Sequence, residues 1–225
     1  MTILTRNHAD LVLEVKAHIE ADALMRGEYW NGSKGCFIGC LTHSSDPKPA
    51  FERFGLPETL LRIAENIFEA LPDEEGRAFF AALPDAVGRD GKDLTRVHLA
   101  FLASELRLLP QQDCIDTVIE GMDLLSAGDK WSTDAAAAAA SAANAAYAAS
   151  YAAAYSASYA AYAARAASYA AAYADANAAA SVASNAAASV AASVAYPDAR
   201  IRQRDARIRQ RDSLLEIIKQ APMGE

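Results

Sequence analysis

The chain has 225 residues, a formal net charge of −8 and a pI of about 5.0. An acidic balance of this size argues against general nucleic-acid binding, because phosphate contacts need clustered Lys and Arg. Hydrophobic residues make up 52% of the chain, but many of them are alanine, and the larger apolar side chains lie mostly before Trp131, in a stretch long enough for its own core.

Met1 to Asp10 has no apolar h-region, so no secretory signal is expected. The first helix is predicted to start after Thr5 or Asn7 and to run to about Arg26, with Leu11, Val12, Val15, Ile19 and Ala23 as its apolar stripe. Tyr29-Trp30-Asn31-Gly32 reads as a turn. Ser33 is then placed to cap a short helix through Gly35-Cys36-Phe37-Ile38-Gly39-Cys40-Leu41. Pro47 or Pro49 opens another short helix that ends at Gly55. A longer one is predicted from Pro57 to Leu71, with Leu60, Leu61, Ala64, Ile67, Phe68 and Leu71 on one face. Pro72-Asp73-Glu74-Glu75 starts a helix that carries Phe79 and Phe80 to a break at Pro84. Asp90 to Asp93 caps the next, whose inward residues are Leu94, Val97, Phe101, Leu102 and Leu106. After Pro110 a helix from about Gln111 to Ala127 buries Ile115, Val118, Ile119, Met122 and Leu125. No stretch alternates with the period of a strand, so the fold class is all-α.

Residues 1–130 are thus expected to form a compact helical domain. Residues 131–197 form an Ala/Tyr/Ser-rich segment, without Gly or Pro from Ala135 to Ala195, which predicts a long helix or a helical hairpin. One straight helix there would span roughly 90 Å. Tyr147, Tyr151, Tyr155, Tyr159, Tyr162, Tyr169 and Tyr173 recur at helical spacing, and Tyr151, Tyr162 and Tyr173 are eleven residues apart, a period that gives a nearly straight stripe. Between Asp134 and Asp198 the charged residues are Arg165 and Asp175. A water-exposed helix of that length is ordinarily laced with ion pairs, so these tyrosines are expected to pack against other helices in a homo-oligomer. The run is too polar to cross a membrane. Residues 198–225 hold a duplicated heptad, Ala199 to Asp205 and Ala206 to Asp212, predicted to be a short helix that docks through its last turns. Its arginines are expected to be a solvated face paired with Asp205 and Asp212.

Cys36, Cys40 and His43 form a C-x3-C-x2-H array on one helical face, and His18 and Asp22 share a side of the first helix. Together the five could surround a zinc ion. The competing reading is packing: Gly35/Gly39 and Cys36/Cys40 are small residues at four-residue spacing, and free cysteine is commonly a buried small hydrophobe; thiol redox chemistry is a third. An odd number of cysteines gives no disulfide framework and fits a reducing, cytoplasmic compartment. No phosphate-binding glycine loop, serine nucleophile elbow or H-E-x-x-H motif is present.

The residues Gly27-Glu28-Tyr29-Trp30, Gly35 to His43, Phe54-Gly55-Leu56-Pro57 and Ile67 to Pro72 resemble an uncharacterised family encoded in phage and bacterial genomes. The likeness covers roughly residues 10–110, and members of the family join this pattern to an Ala/Ser-rich tail of variable length. The resemblance brings no assigned activity. It implies a phage or mobile-element accessory protein that acts on a host system. The leading expectation is therefore a non-enzymatic interaction protein without a cofactor, self-associating through its Ala-rich helices and binding a host protein or a small ligand. The alternatives are a small metalloprotein or enzyme that uses His18, Asp22, Cys36, Cys40 and His43 around zinc, and an ice- or surface-binding helix.

Overall fold

A computed structural model describes residues 4–108, 113–132, 134–139 and 199–224. Among these the chain is all-α, with only isolated β-bridges. Its named helices are α1 (His8–Glu20), α2 (Phe37–Thr42), α3 (Lys48–Phe54), α4 (Glu58–Ala70), α5 (Asp73–Val87), α6 (Val97–Leu106), α7 (Asp113–Ala127) and α8 (Ala199–Gln220). No described helix is long and apolar enough to cross a membrane. The tyrosine stripe from Tyr147 to Tyr173, the long helix or hairpin and the expected self-association all fall on residues outside the described ones.

The chain divides into two compact units, Met1–Val97 with Ile208–Glu225, and His98–Arg207. In the first, α1 packs on α5 and α2, α2 on α3 and α4, and α4 on α5. Phe37, the first residue of α2, is the hub. Its ring lies 5.1 Å from Phe79 and 5.2 Å from Phe80 of α5, the latter edge-on, and 6.0 Å from Phe68 of α4. Ile38, Leu56, Leu60, Leu61, Ile63, Ile67, Leu83 and Val87 of the same unit also have almost no exposed surface. Burying side chains of this size stabilises by about 1.5–3 kcal/mol each before conformational entropy is counted.

The ends of this unit are tied to one another. Thr5 N–H donates to Lys92 O, Gly91 N–H to Thr5 O, and Gly224 N–H to Gly91 O. The Lys92 ammonium is buried and donates to the carbonyls of Ala86, Ile218 and Lys219. It thereby helps to satisfy the last carbonyls of α8, of which Ile218 O also accepts from Ala221 N–H. Desolvation, followed by repulsion from Arg89 and Lys219, lowers its pKa. In the second unit Phe101, Leu102, Ala103 and Leu106 of α6 are buried, as are Ile115, Val118 and Met122 of α7, while Arg107 forms an ion pair with Asp123. Trp131 lies so close to Gly121 that a Cβ there would stand 2.3 Å from the indole.

Several local expectations are corrected. Helix α1 stops at Glu20 rather than near Arg26, because the chain turns at Asp22, whose φ is 49°. Its inward residues are Leu11, Val15 and His18, and Val12 is 38% exposed. Ser33 does not cap α2: its amide and hydroxyl both turn to Asn31 Oδ1, and α2 begins after Cys36. Pro84 does not end α5, which continues to Val87. The missing N–H removes one helix bond only, and Gly88 N–H closes the last turn on Pro84 O at 2.7 Å. The arginine heptads are not simply a solvated face. Arg207 is 4% exposed, and Arg211 is paired with Glu75.

One close approach decides how the first unit is threaded. The carbonyl of Tyr29 sits against α2 and the stretch that leads into it: a Cβ on Gly35 would lie 2.1 Å from that oxygen, and on Gly39 1.4 Å. Backbone, unlike a flexible side-chain tip, cannot step aside cheaply. Gly39→Ala is therefore expected to cost more than about 3 kcal/mol, read as a large fall in melting temperature, whereas Gly27→Ala, with open space around it, loses only the strain of its positive φ.

Candidate metal centre

Helix α1 presents Glu14 and His18 one turn apart on the same side. His18 is buried, and its Nδ1 lies 2.9 Å from the backbone carbonyl of Glu14. A carbonyl oxygen can only accept, so Nδ1 carries the proton and the lone pair of the neutral ring is on Nε2. That nitrogen faces Nε2 of His43 at 3.2 Å.

His43 arrives from the opposite direction. It is the residue on which α2 ends, in the left-handed region at φ 53°, with its N–H on Gly39 O at 2.7 Å. A non-glycine residue in this conformation stores backbone strain, typically about 1 kcal/mol or more, and the reversal swings the imidazole back toward α1. The indole of Trp30 stacks on it, with ring centroids 4.3 Å apart and planes 21° from parallel, and meets His18 edge-on at 5.8 Å.

The Glu14 carboxylate completes the group. Its Oε1 is 3.9 Å from His43 Nε2, while its Oε2 accepts from Arg53 Nη1 at 2.6 Å. One donor atom from each of Glu14, His18 and His43 lies within 4.8 Å of the others. The His43 side chain is 54% exposed, against 16% for Glu14 and 9% for His18, so the group opens outward on the His43 side.

Of the residues singled out from sequence, His18 and His43 meet here and the other three do not. Asp22 points away, into ion pairs with Arg77 at 2.9 Å and Lys34 at 3.6 Å. Cys40 is buried, with its thiol on the carbonyls of Gly35 at 3.3 Å and Ala23 at 3.6 Å. Burial pushes that thiol up to about 12. Cys36, also buried, forms a second cluster with Glu65 and Glu69 of α4, where burial, then the charge of Glu65, raises its pKa still further. Both thiols are held protonated, so neither is a ready thiolate for redox chemistry. Glu14 is the partner the sequence reading missed. The signal was there in Glu14-x3-His18 at helical spacing, but a carboxylate beside many others on a charged helix does not single itself out. Nothing in the sequence placed Trp30 on His43.

Comparison with protein-family models, with characterised proteins and with solved structures returns no match.

The second cluster has a measurable signature. Burial, more than any other effect, lifts the Glu65 carboxyl to about 7, and Glu69 beside it adds to the rise. A carboxyl whose pKa is higher folded than unfolded holds more protons in the native state between the two values. Its contribution to stability is complete below the unfolded pKa of about 4.3 and is lost as pH climbs through 7, a change of roughly 3 kcal/mol. Urea unfolding from pH 5 to pH 8.5 should show this decline. Glu65→Gln should flatten it and gain stability relative to the native chain at the alkaline end.

Proposed function

We propose that the Met1–Val97 and Ile208–Glu225 unit is a metal-binding module in which Glu14, His18 and His43 hold one divalent ion of the zinc type. The observation that carries this reading is the pair of imidazole Nε2 atoms facing each other across 3.2 Å beside a carboxylate oxygen. Two nitrogens bound tetrahedrally to one zinc at about 2.0–2.1 Å stand roughly 3.3 Å apart, so the 3.2 Å gap, which as it stands is that of a hydrogen bond between the rings, also suits two ligands of one ion.

The surroundings support it. The outer nitrogen of His18 is fixed by a backbone carbonyl, and the outer oxygen of Glu14 by Arg53; such partners orient ligands and fix the imidazole tautomer. Two imidazoles and a carboxylate suit zinc, cobalt, nickel or ferrous iron and do not suit calcium or magnesium, which take oxygen ligands. Three protein donors leave a coordination position over. With His43 half in solvent, that position would be reachable, as in sites that bind or activate an exogenous ligand rather than in closed structural ones.

The test is metal uptake by the untagged, chelator-stripped chain. One zinc per chain is expected by elemental analysis, with binding abolished by His43→Ala and by His18→Ala and weakened at least tenfold by Glu14→Gln. Trp30 should report the event, its emission changing on metal addition in the native chain and staying silent in Trp30→Phe. A stripped chain that takes up no stoichiometric zinc, or one whose uptake survives His43→Ala, would overturn the assignment.

A further inference from the structure

The segment that carries Trp30 into the centre is held at both of its feet by one helix. Glu69 Oε2 of α4 accepts the amide of Gly27 at 2.9 Å, and Glu65 Oε2, one helical turn earlier, accepts the amide of Ile38 at 2.8 Å. Between these points the chain is bonded mainly to itself and to the end of the α1 exit: Asn31 N–H to Lys34 O, Cys36 N–H to Glu28 O, Met25 N–H to Gly35 O. Arg62, a further turn back along α4, reaches the hydroxyl of Tyr29 at 3.1 Å. Trp30 lies inside this span, and the helix that begins at its second foot ends on His43. Both partners of the indole–imidazole stack are therefore placed by the same two carboxyl groups.

Simple packing does not account for acids in these positions. Glu65 is 8% exposed, and burying a carboxyl in place of an apolar side chain costs free energy that only its hydrogen bonds offset. The groups that face it are Cys36 ahead of α2, Cys40 within α2 and Glu69 on its own helix, so no counter-charge among them rewards the burial. What the carboxyl does supply is an acceptor for an amide in the first turn of α2, where the N-cap residue Cys36 gives no side-chain hydrogen bond.

We propose that Glu65 and Glu69 are the positioning residues of the metal centre: they staple the Gly27–Ile38 segment to α4 and so present His43, backed by Trp30, to His18 and Glu14. The inference rests on the metal-binding reading. Neither residue is a ligand; each acts through a backbone amide.

The experiment compares zinc affinity, by competition with a chromophoric chelator, in the native chain and in Glu65→Ala, Glu65→Gln, Glu69→Ala and Glu69→Gln, with melting curves on each. Removing a group that orients a ligand typically costs about 10–100-fold in metal affinity, and the alanine variants are expected in that range. The glutamine variants keep an acceptor oxygen and should recover most of the loss. Alanine variants that melt earlier yet bind zinc as tightly as the native chain would show a merely structural role and overturn the proposal. Should Glu65→Ala fail to fold, Glu69→Ala, at the half-buried foot, carries the same comparison. A metal-free arm separates this proposal from the reading beneath it. In a Trp131→Phe background, Trp30 emission should shift in the alanine variants and not in the glutamine ones. If the native chain takes no zinc but that shift is seen, the metal reading falls and the staple stands. If zinc binds and neither affinity nor emission responds to Glu65→Ala or Glu69→Ala, the staple falls.

Discussion

A single steric constraint, the seating of the Tyr29 carbonyl against Gly35 and Gly39, orders the first unit. Because two glycines leave no Cβ in the way, the Tyr29–Trp30 segment can lie flat on the start of α2. That contact places Trp30 beside His43, brings Cys36 and Cys40 under the segment as small buried thiols, and puts Phe37 and Ile38 at the depth where α4 and α5 close over them. Move the segment outward by the width of a methyl group and the indole leaves the imidazole. The amide of Ile38 then loses its alignment with Glu65. Small residues at four-residue spacing are thus the precondition for the polar chemistry as well as for the packing.

The arrangement sorts its ionisable groups by what surrounds them. Around His18 and His43 sit a carboxylate already engaged by Arg53 and an outlet to solvent. Around Cys36 sit Glu65 and Glu69, all acids, and here burial keeps protons on the thiol and raises the Glu65 carboxyl. The two clusters, at opposite ends of one short helix, thus sit in different surroundings, one open to solvent beside an arginine and the other buried among acids.

Much of this was legible in the sequence. The all-α class and the positions of α3, α4 and α7 follow from apolar spacing and from Pro and Gly punctuation, because those helices obey local rules. His18 and His43 were both among the five residues singled out, in two separate groupings. What the sequence did not disclose is which residues join them, since Asp22 and Glu14 are equally plausible neighbours of His18 on a helical wheel. The choice is made by a backbone reversal at Asp22, where φ is 49°, and such a reversal at a non-glycine residue has no reliable signature. The same holds for His43, whose left-handed backbone turns a surface side chain inward toward α1. The burial of Arg207 was hidden for a different reason: heptads rich in Arg and Asp carry every mark of a water-facing helix until their tertiary partners are known.

The anchoring of Lys92 on the final carbonyls of α8 has a bearing on how the molecule comes into being. That ammonium bonds a residue 127 positions further along the chain, and Gly224 N–H closes on Gly91 O within the same knot. Loop closure over such a distance is entropically modest, since each doubling of length adds only about 0.6 kcal/mol, but during synthesis it is a matter of timing. Residues 4–97 leave the ribosome long before the stretch that seals them, and at translation rates of about 5–20 residues per second they wait for several seconds with Lys92 uncapped. Completion of the first unit is thereby deferred until residues 208–224 have been made, so a ribosome stalled anywhere in the alanine tract would hold an unfinished core.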